Sequence, residues 1–237
     1  LSLVASNDNS ELDFTSEVSF PATGGTTYYM AVDGYGAGAG ALVLNWTPFN
    51  DPALIFTTLH HFTNGINDGA SPQSGLLLAG DTLYGTSLYG GSGPGMVFRI
   101  KTDGTGYTNV HKFNSSGGAN SYSELILSGS TLYGTTYGGG SNYGIVFAVN
   151  TNGTGFTNLH SFPPTSGASS TNREGANPIA GLLLVGNTLY GTARFGGTAG
   201  NGTVFAIKTD GSGFTNLHNF TATSGPSSSN SDGTLPS

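Results

Sequence analysis

Short apolar runs alternate with glycine-rich polar turns along most of the chain, and the alternation repeats. The tetrapeptide Leu-Tyr-Gly-Thr stands at residues 83–86, 132–135 and 189–192. A Val-Phe pair follows each copy: Val97-Phe98, Val146-Phe147 and Val204-Phe205. Next comes Asp103-Gly104, Asn152-Gly153 or Asp210-Gly211, and then a run ending in His-x-Phe at 111–113, 160–162 and 218–220. From Phe98 to Phe113, Phe147 to Phe162 and Phe205 to Phe220 the distance is 15 residues each time. The whole unit recurs at about 50 residues, the size of a propeller blade.

Each unit predicts four strands. Strand A is the apolar run Leu76–Leu78, Leu125–Leu127 or Leu182–Val185. A Gly-x turn (Gly80-Asp81, Gly129-Ser130, Gly186-Asn187) leads into strand B, the Leu-Tyr-Gly-Thr segment. Strand C carries Val-Phe. The Asp-Gly or Asn-Gly pair predicts a two-residue hairpin with positive φ at Gly104, Gly153 and Gly211, and strand D follows. A β-solenoid has shorter coils and does not need two tight hairpins per repeat. The expected fold class is therefore all-β, with four-stranded blades at about 70–113, 119–162 and 176–220. Phe98, Phe147 and Phe205 should lie buried between blades, as should Leu83, Leu132 and Leu189.

A lone strand resembling strand D, Leu54 to Phe62, precedes these blades within a propeller region of residues 54–237. Closed propellers need about four to eight blades. Three and a fraction are expected to meet further blades of a longer parent chain, or to self-associate into a ring or filament. Residues 1–47 lack the blade signature. Glu17–Phe20, Thr26–Val32 and Ala41–Trp46 alternate like strands of a partial β-sandwich, and residues 48–53 read as a linker.

Composition narrows the function classes. Charged residues make up 8% of the chain, against about 25% in an average domain. Six Lys+Arg against 13 Asp+Glu give a net charge of −7, so no basic footprint for nucleic acid can be assembled. Forty glycines disfavour long helices. With no cysteine, disulfides and thiolate chemistry are excluded. No run of 18 apolar residues predicts a membrane span. Polarity carried by Ser, Thr, Asn and Gly suits a secreted or cell-surface location.

Two resemblances follow from particular segments. Leu3-Val4-Ala5-Ser6-Asn7-Asp8, Val18-Ser19-Phe20 and Gly25 to Gly34 are similar to the C-terminal half of a bacterial pre-peptidase C-terminal domain, a β-sandwich appended to secreted proteins. The repeats, with Leu-Tyr-Gly-Thr-Thr-Tyr-Gly-Gly-Gly at 132–140, resemble the choice-of-anchor tandem repeat called GloVer over residues 54 to about 234. That resemblance implies surface-anchored or secreted proteins of Verrucomicrobia and related bacteria. It carries no established catalytic residue.

Candidate chemistry is thin. His60, His111, His160 and His218 share one position on strand D. Neighbouring outer strands set them too far apart for one metal, so they are expected to pack with the Phe two residues on. Asp68 and Glu174 stand before Gly-Ala where the second copy has Gly117. No nucleophile elbow, His-Glu-x-x-His or phosphate loop occurs, so no enzyme is expected and no catalytic residue is named. Calcium is the one candidate cofactor, with oxygen ligands at Asn64, Asn67 and Asp68, or at Asn7, Asp8 and Asp13. Polar turns explain the same residues.

The A–B and C–D turns are nearly uniform, whereas the D–A and B–C loops vary. In a meander these two sets emerge on opposite faces, and varied loops on a rigid scaffold are where binding usually lives. The varied face offers Tyr89, Tyr137, Asn142, Tyr143, Arg194 and Phe195 as candidate glycan-binding residues, with ordinary blade packing as the rival explanation. The expected role is structural or adhesive, with a carbohydrate-binding module or the accessory region of a secreted hydrolase as alternatives.

Overall fold

Each Leu-Tyr-Gly-Thr motif becomes the second strand of a four-stranded antiparallel meander. The computed structural model describes residues 57–90, 93–167, 170–222, 232–233 and 236. Those residues contain strands and turns and no helix. A short pair, β1 (Gly69–Ala70) with β4 (Tyr89–Gly90), ties the segment leading into the first unit to its B–C loop. The first sheet is β2 (Leu77–Ala79), β3 (Thr82–Ser87), β5 (Met96–Lys101) and β6 (Thr108–Lys112), in that order. The second is β7 (Ile126–Ser128), β8 (Thr131–Thr136), β9 (Ile145–Asn150) and β10 (Thr157–Ser161). The third is β11 (Leu183–Val185), β12 (Thr188–Ala193), β13 (Thr203–Lys208) and β14 (Thr215–Asn219). Strand A begins one residue later than the sequence suggests in every unit. The three sheets are propeller blades that do not close into a ring.

Register explains the glycine of Leu-Tyr-Gly-Thr. Gly85 lies opposite Phe98, Gly134 opposite Phe147 and Gly191 opposite Phe205. A Cβ at Gly85 would stand 2.6 Å from the Phe98 ring and 2.8 Å from Leu76 Cδ2. The missing side chain is the space into which the strand C phenylalanine folds. The six named Phe and Leu residues are at most 3% exposed, as expected.

The turns differ in kind. At Gly80-Asp81 the glycine has φ 61 and Ala79 pairs directly with Thr82, the first-position glycine of a type II′ hairpin. Gly104, Gly153 and Gly211 also have positive φ, at 82, 86 and 84. The C–D connection, however, is not the expected two-residue hairpin. Lys101 N donates to Thr105 O and Gly104 N to Lys101 O, both at 2.9 Å, which makes a three-residue loop ending on a left-handed glycine. Asp103 stays out of the left-handed region because its carboxylate accepts from Thr105 N at 2.8 Å, a local Asx turn.

Strand D carries one bulge per unit. His111 pairs with Val97 and Asn109 with Phe98, leaving Val110 as the extra residue. Leu159 and Leu217 are its counterparts. The bulge pushes a carbonyl toward the next blade: a Cβ on Gly153 would lie 2.7 Å from Val110 O.

The core lies between sheets. Tyr84, Val97, Val110 and Phe113 of the first blade pack with Leu125, Leu132, Ile145, Phe147 and Val149 of the second. Tyr133, Val146, Ala148 and Phe162 of the second pack with Leu182, Leu189, Ala193, Phe205 and Ile207 of the third. The second blade is thus half of two cores. Residues 57–62 pair with none of the described strands, so a lone strand at Leu54 to Phe62 finds no ladder among the described residues. The expected partial sandwich at 1–47, the linker at 48–53 and Leu54–Phe56 lie outside the described residues.

Candidate functional site

The repeated histidines sit at the junctions between units. His60 stacks flat on Tyr107, with ring centroids 3.8 Å apart and planes 7° apart. His111 stacks on Phe156 at 3.7 Å and His160 on Phe214 at 3.8 Å. Each imidazole comes from the end of one unit and each stacking ring from the start of strand D in the next. Phe62, Phe113 and Phe162 meet Phe98, Phe147 and Phe205 edge-on at 5.2, 5.2 and 5.3 Å. Offset and edge contacts of this kind add about 0.5–1.5 kcal/mol per pair beyond area burial. Within each His-x-Phe segment the two rings also meet edge-on, at 4.9, 5.4, 5.0 and 5.0 Å for the segments starting at His60, His111, His160 and His218.

A carboxylate closes three of the four histidine positions. Asp68 Oδ1 lies 2.9 Å from His60 Nε2, and Asp232 Oδ2 lies 3.0 Å from His218 Nε2. Glu174 Oε2 lies 3.1 Å from His160 Nε2, but out of line, so that this buried nitrogen makes no good hydrogen bond. Opposite His111 the equivalent residue is Gly117. All four positions precede a glycine (Gly69, Gly118, Gly175, Gly233). Burial pushes the Asp68 carboxyl up, but hydrogen bonds from His60 and Thr63 outweigh it and hold the group below its ordinary value. Burial alone lowers His111. Burial also lowers His160, and Glu174 partly opposes it.

The threonine of Leu-Tyr-Gly-Thr provides a second link. Thr86 Oγ1 contacts Ser121 O and Ser123 O of the second unit, each at 3.3 Å. Thr135 Oγ1 donates to Ala180 O of the third at 3.2 Å. Ser123 and Ala180 hold the same repeat position. Thr192 Oγ1 is buried and has no hydrogen-bond partner among the described residues.

The candidate calcium ligands do not form an open cage. Asp68 Oδ1 is 2.9 Å from His60 Nε2 and 2.9 Å from Gly69 N, while Oδ2 accepts from Thr63 N and Oγ1 at 2.7 Å. Asn67 Oδ1 accepts from the Lys112 ammonium at 2.8 Å, a cation already in the place a metal would take. Asn64 adopts the left-handed conformation of a turn, with φ 58. Among the described residues no group of three or more His, Asp or Glu could hold a metal ion. Asn7, Asp8 and Asp13 lie outside the described residues.

On the varied face, Tyr89 is 52% and Tyr122 37% exposed. Tyr122 meets Tyr137 edge-on at 5.9 Å. Burial, with smaller contributions from Tyr89 and Tyr137, raises the Tyr122 phenol, and Arg194 acts against them. Tyr122 and Tyr137 are thus in ring contact, while Tyr89 and Arg194 act on Tyr122 through charge alone. Arg194 lies 5.3 Å from the Phe195 ring centroid, and its buried Nε has no hydrogen-bond partner among the described residues. Phe195 exchanges backbone hydrogen bonds with Ala176. Asn142 is exposed in a turn at φ 74, and Tyr143 packs against the second core. Sequence reasoning missed Tyr122; its place in a varied D–A loop was the available signal.

Four-stranded sheets repeated along the chain and packed face to face through shared cores make this a blade-repeat protein. Its sequence matches the Gloeobacter/Verrucomicrobia repeat over residues 3–173, and the chain belongs to that family. The match stops before the third blade, which nevertheless repeats the same motifs. It takes in residues 3–47, where the comparisons give no support to the pre-peptidase resemblance. No curated protein matches the chain in sequence. Among solved structures, the chain is similar to a component of the nidogen/laminin complex (18% identity, TM-score 0.40, 58% of this chain and 44% of that one). It is also similar to a TolB-type protein from Agrobacterium tumefaciens (10% identity, TM-score 0.40, 59% and 46%). The chain therefore spans less than half the length of either.

Proposed function

We propose that this chain is a non-catalytic scaffold in a secreted or cell-surface protein, with a structural or adhesive role. The observation that carries the reading is where the repeated reactive side chains are used. The histidines stack on rings of the next unit, the carboxylates hold the histidines, and the threonine hydroxyls reach carbonyls across the junction. Residues spent on cohesion leave the varied loops as the presented surface. The low charge of the chain supports the location. Labelling intact producing cells with a membrane-impermeant reagent tests it: the protein should be labelled before lysis, and labelling only after lysis would overturn the location.

A second reading, glycan binding, is favoured by one specific observation. Tyr89 and Tyr122 are exposed, Tyr122 meets Tyr137 edge-on, and Arg194 is near enough to act on Tyr122, a combination suited to stacking on a sugar ring and bonding its hydroxyls. A glycan array with the wild-type chain and with Tyr122→Ala and Tyr137→Ala examines it. Binding weakened at least tenfold by either change supports this reading, and wild-type silence across the array removes it.

A further inference from the structure

The outer surface of the third blade repeats a junction with one side missing. Residues that face the next unit in the first two blades are covered there: Tyr84 is 6% and Tyr133 7% exposed, and Val97 and Val146 are 0% exposed. In the third blade Tyr190 and Val204 are half-buried, while Leu183, Val185 and Leu217 are 64%, 59% and 54% exposed. Between them runs an open cleft of about 340 Å³ lined by Ala180, Leu182, Leu183, Tyr190, Thr192 and Val204. Thr192 Oγ1 is buried at this surface with no partner among the described residues. Its counterparts Thr86 and Thr135 bond carbonyls of the next unit. An apolar face of this kind marks an interaction site.

We propose that this face docks a further unit of the same repeat, carried on the same polypeptide. Two residues already lie on the incoming path. Asp232 stands on His218 as Asp68 stands on His60. Pro236 Cδ comes within 2.6 Å of the position a Gly202 Cβ would take, as Pro178 Cδ comes within 2.7 Å of that at Gly144. In repeat register the carbonyl that satisfies Thr192 belongs to the second residue after Pro236. The docked unit supplies that carbonyl, a strand C phenylalanine for Phe220 and an aromatic ring for His218. A second copy of this chain fits less well, because its matching face, Phe98 and Tyr107, is already covered by its own Phe62 and His60.

The test extends the full chain after Ser237 with a copy of residues 123–165, which supply Ser123 O, Phe147 and Phe156. A second extension uses residues 180–222, and a control carries a scrambled segment of equal length. Hydroxyl-radical footprinting reads Leu183, Val185 and Leu217, and thermal unfolding reads stability. At least one true extension should lower labelling of all three residues several-fold and raise Tm. Thr192→Val should cancel part of that rise in the extended chain and leave the unextended chain unchanged or slightly more stable. Labelling unchanged from the scrambled control in both extensions overturns the proposal. So does protection of the three residues in an unextended dimer, which would assign the face to a second copy.

Discussion

The junction between the second and third blades and the open face of the third are built from the same residue types in the same order. Phe162 and Val146 are 0% and Thr135 1% exposed, whereas their counterparts Phe220, Val204 and Thr192 are only half-buried. One sequence motif therefore has two energetic meanings, set by whether the next unit is present. Stability of a repeat array is approximately the sum of units and their nearest-neighbour interfaces, and here the interface carries the hydrophobic cores.

The largest separation is expected at phenylalanine. Phe162→Ala should cost on the order of 3–5 kcal/mol, the usual range for an emptied core aromatic site. Phe220→Ala, at the open face, should cost less, about 1–2 kcal/mol, because Phe220 is only half-buried and part of its ring stays in water. Denaturant unfolding of the two variants checks this, and equal losses would break the comparison. A smaller contrast concerns the hydroxyls. Thr135→Val leaves Ala180 O without its donor and should cost about 1–3 kcal/mol. Thr192→Val should be neutral or slightly stabilising, since it removes a buried polar atom that has nothing to bond.

Much of this architecture was legible in the chain. Leu-Tyr-Gly-Thr, Val-Phe and His-x-Phe place three strands of every unit, because period-2 burial and tight turns leave little freedom. The stacking partners of the histidines were not legible. Tyr107, Phe156 and Phe214 belong to the following unit, and D–A loops of unequal length shift their spacing. Asp232 was missed for the same reason, lying beyond a Ser-rich stretch of sequence. Asp-Gly suggested a two-residue hairpin because the Asx turn at Asp103 cannot be told from a left-handed aspartate by composition. Tyr122 has no aromatic counterpart at Gln73 or Ile179, so repetition could not single it out.

Acid should sharpen the difference between junctions. Burial lowers His111 and His160 from their ordinary value. Folding therefore favours the neutral rings, and this stability is fully present above about pH 6.5 and is lost as pH falls through the folded values. Asp68, held low in the fold, adds stability present above about pH 4 and lost as its folded value is crossed. His111→Gln should flatten the loss between pH 7.5 and 5.5, as read by denaturation midpoints. An unchanged slope would remove His111 from the account.

The smallest effect is expected at the junction that lacks an acid. Gly117→Asp places a carboxylate where Asp68 and Glu174 stand in other units. Its Cβ would come 3.0 Å from Asn114 Oδ1, which now accepts from Gly117 N, so little net stability should be gained. The His111 titration, followed by NMR, should nonetheless move upward. No movement would show that the carboxylate position does not address the histidine.

The central claim is that the third blade presents an unfilled copy of a junction that is filled elsewhere. Hydroxyl-radical footprinting of the unmodified monomer at the three bulge residues tests it most directly, because Val110, Leu159 and Leu217 hold one repeat position. Leu217 should label several-fold faster than Leu159, and Val110 should be the most protected once intrinsic reactivities are allowed for. Labelling of Leu217 as slow as that of Val110 in the monomer would contradict the account, since the face would then be covered by the chain itself.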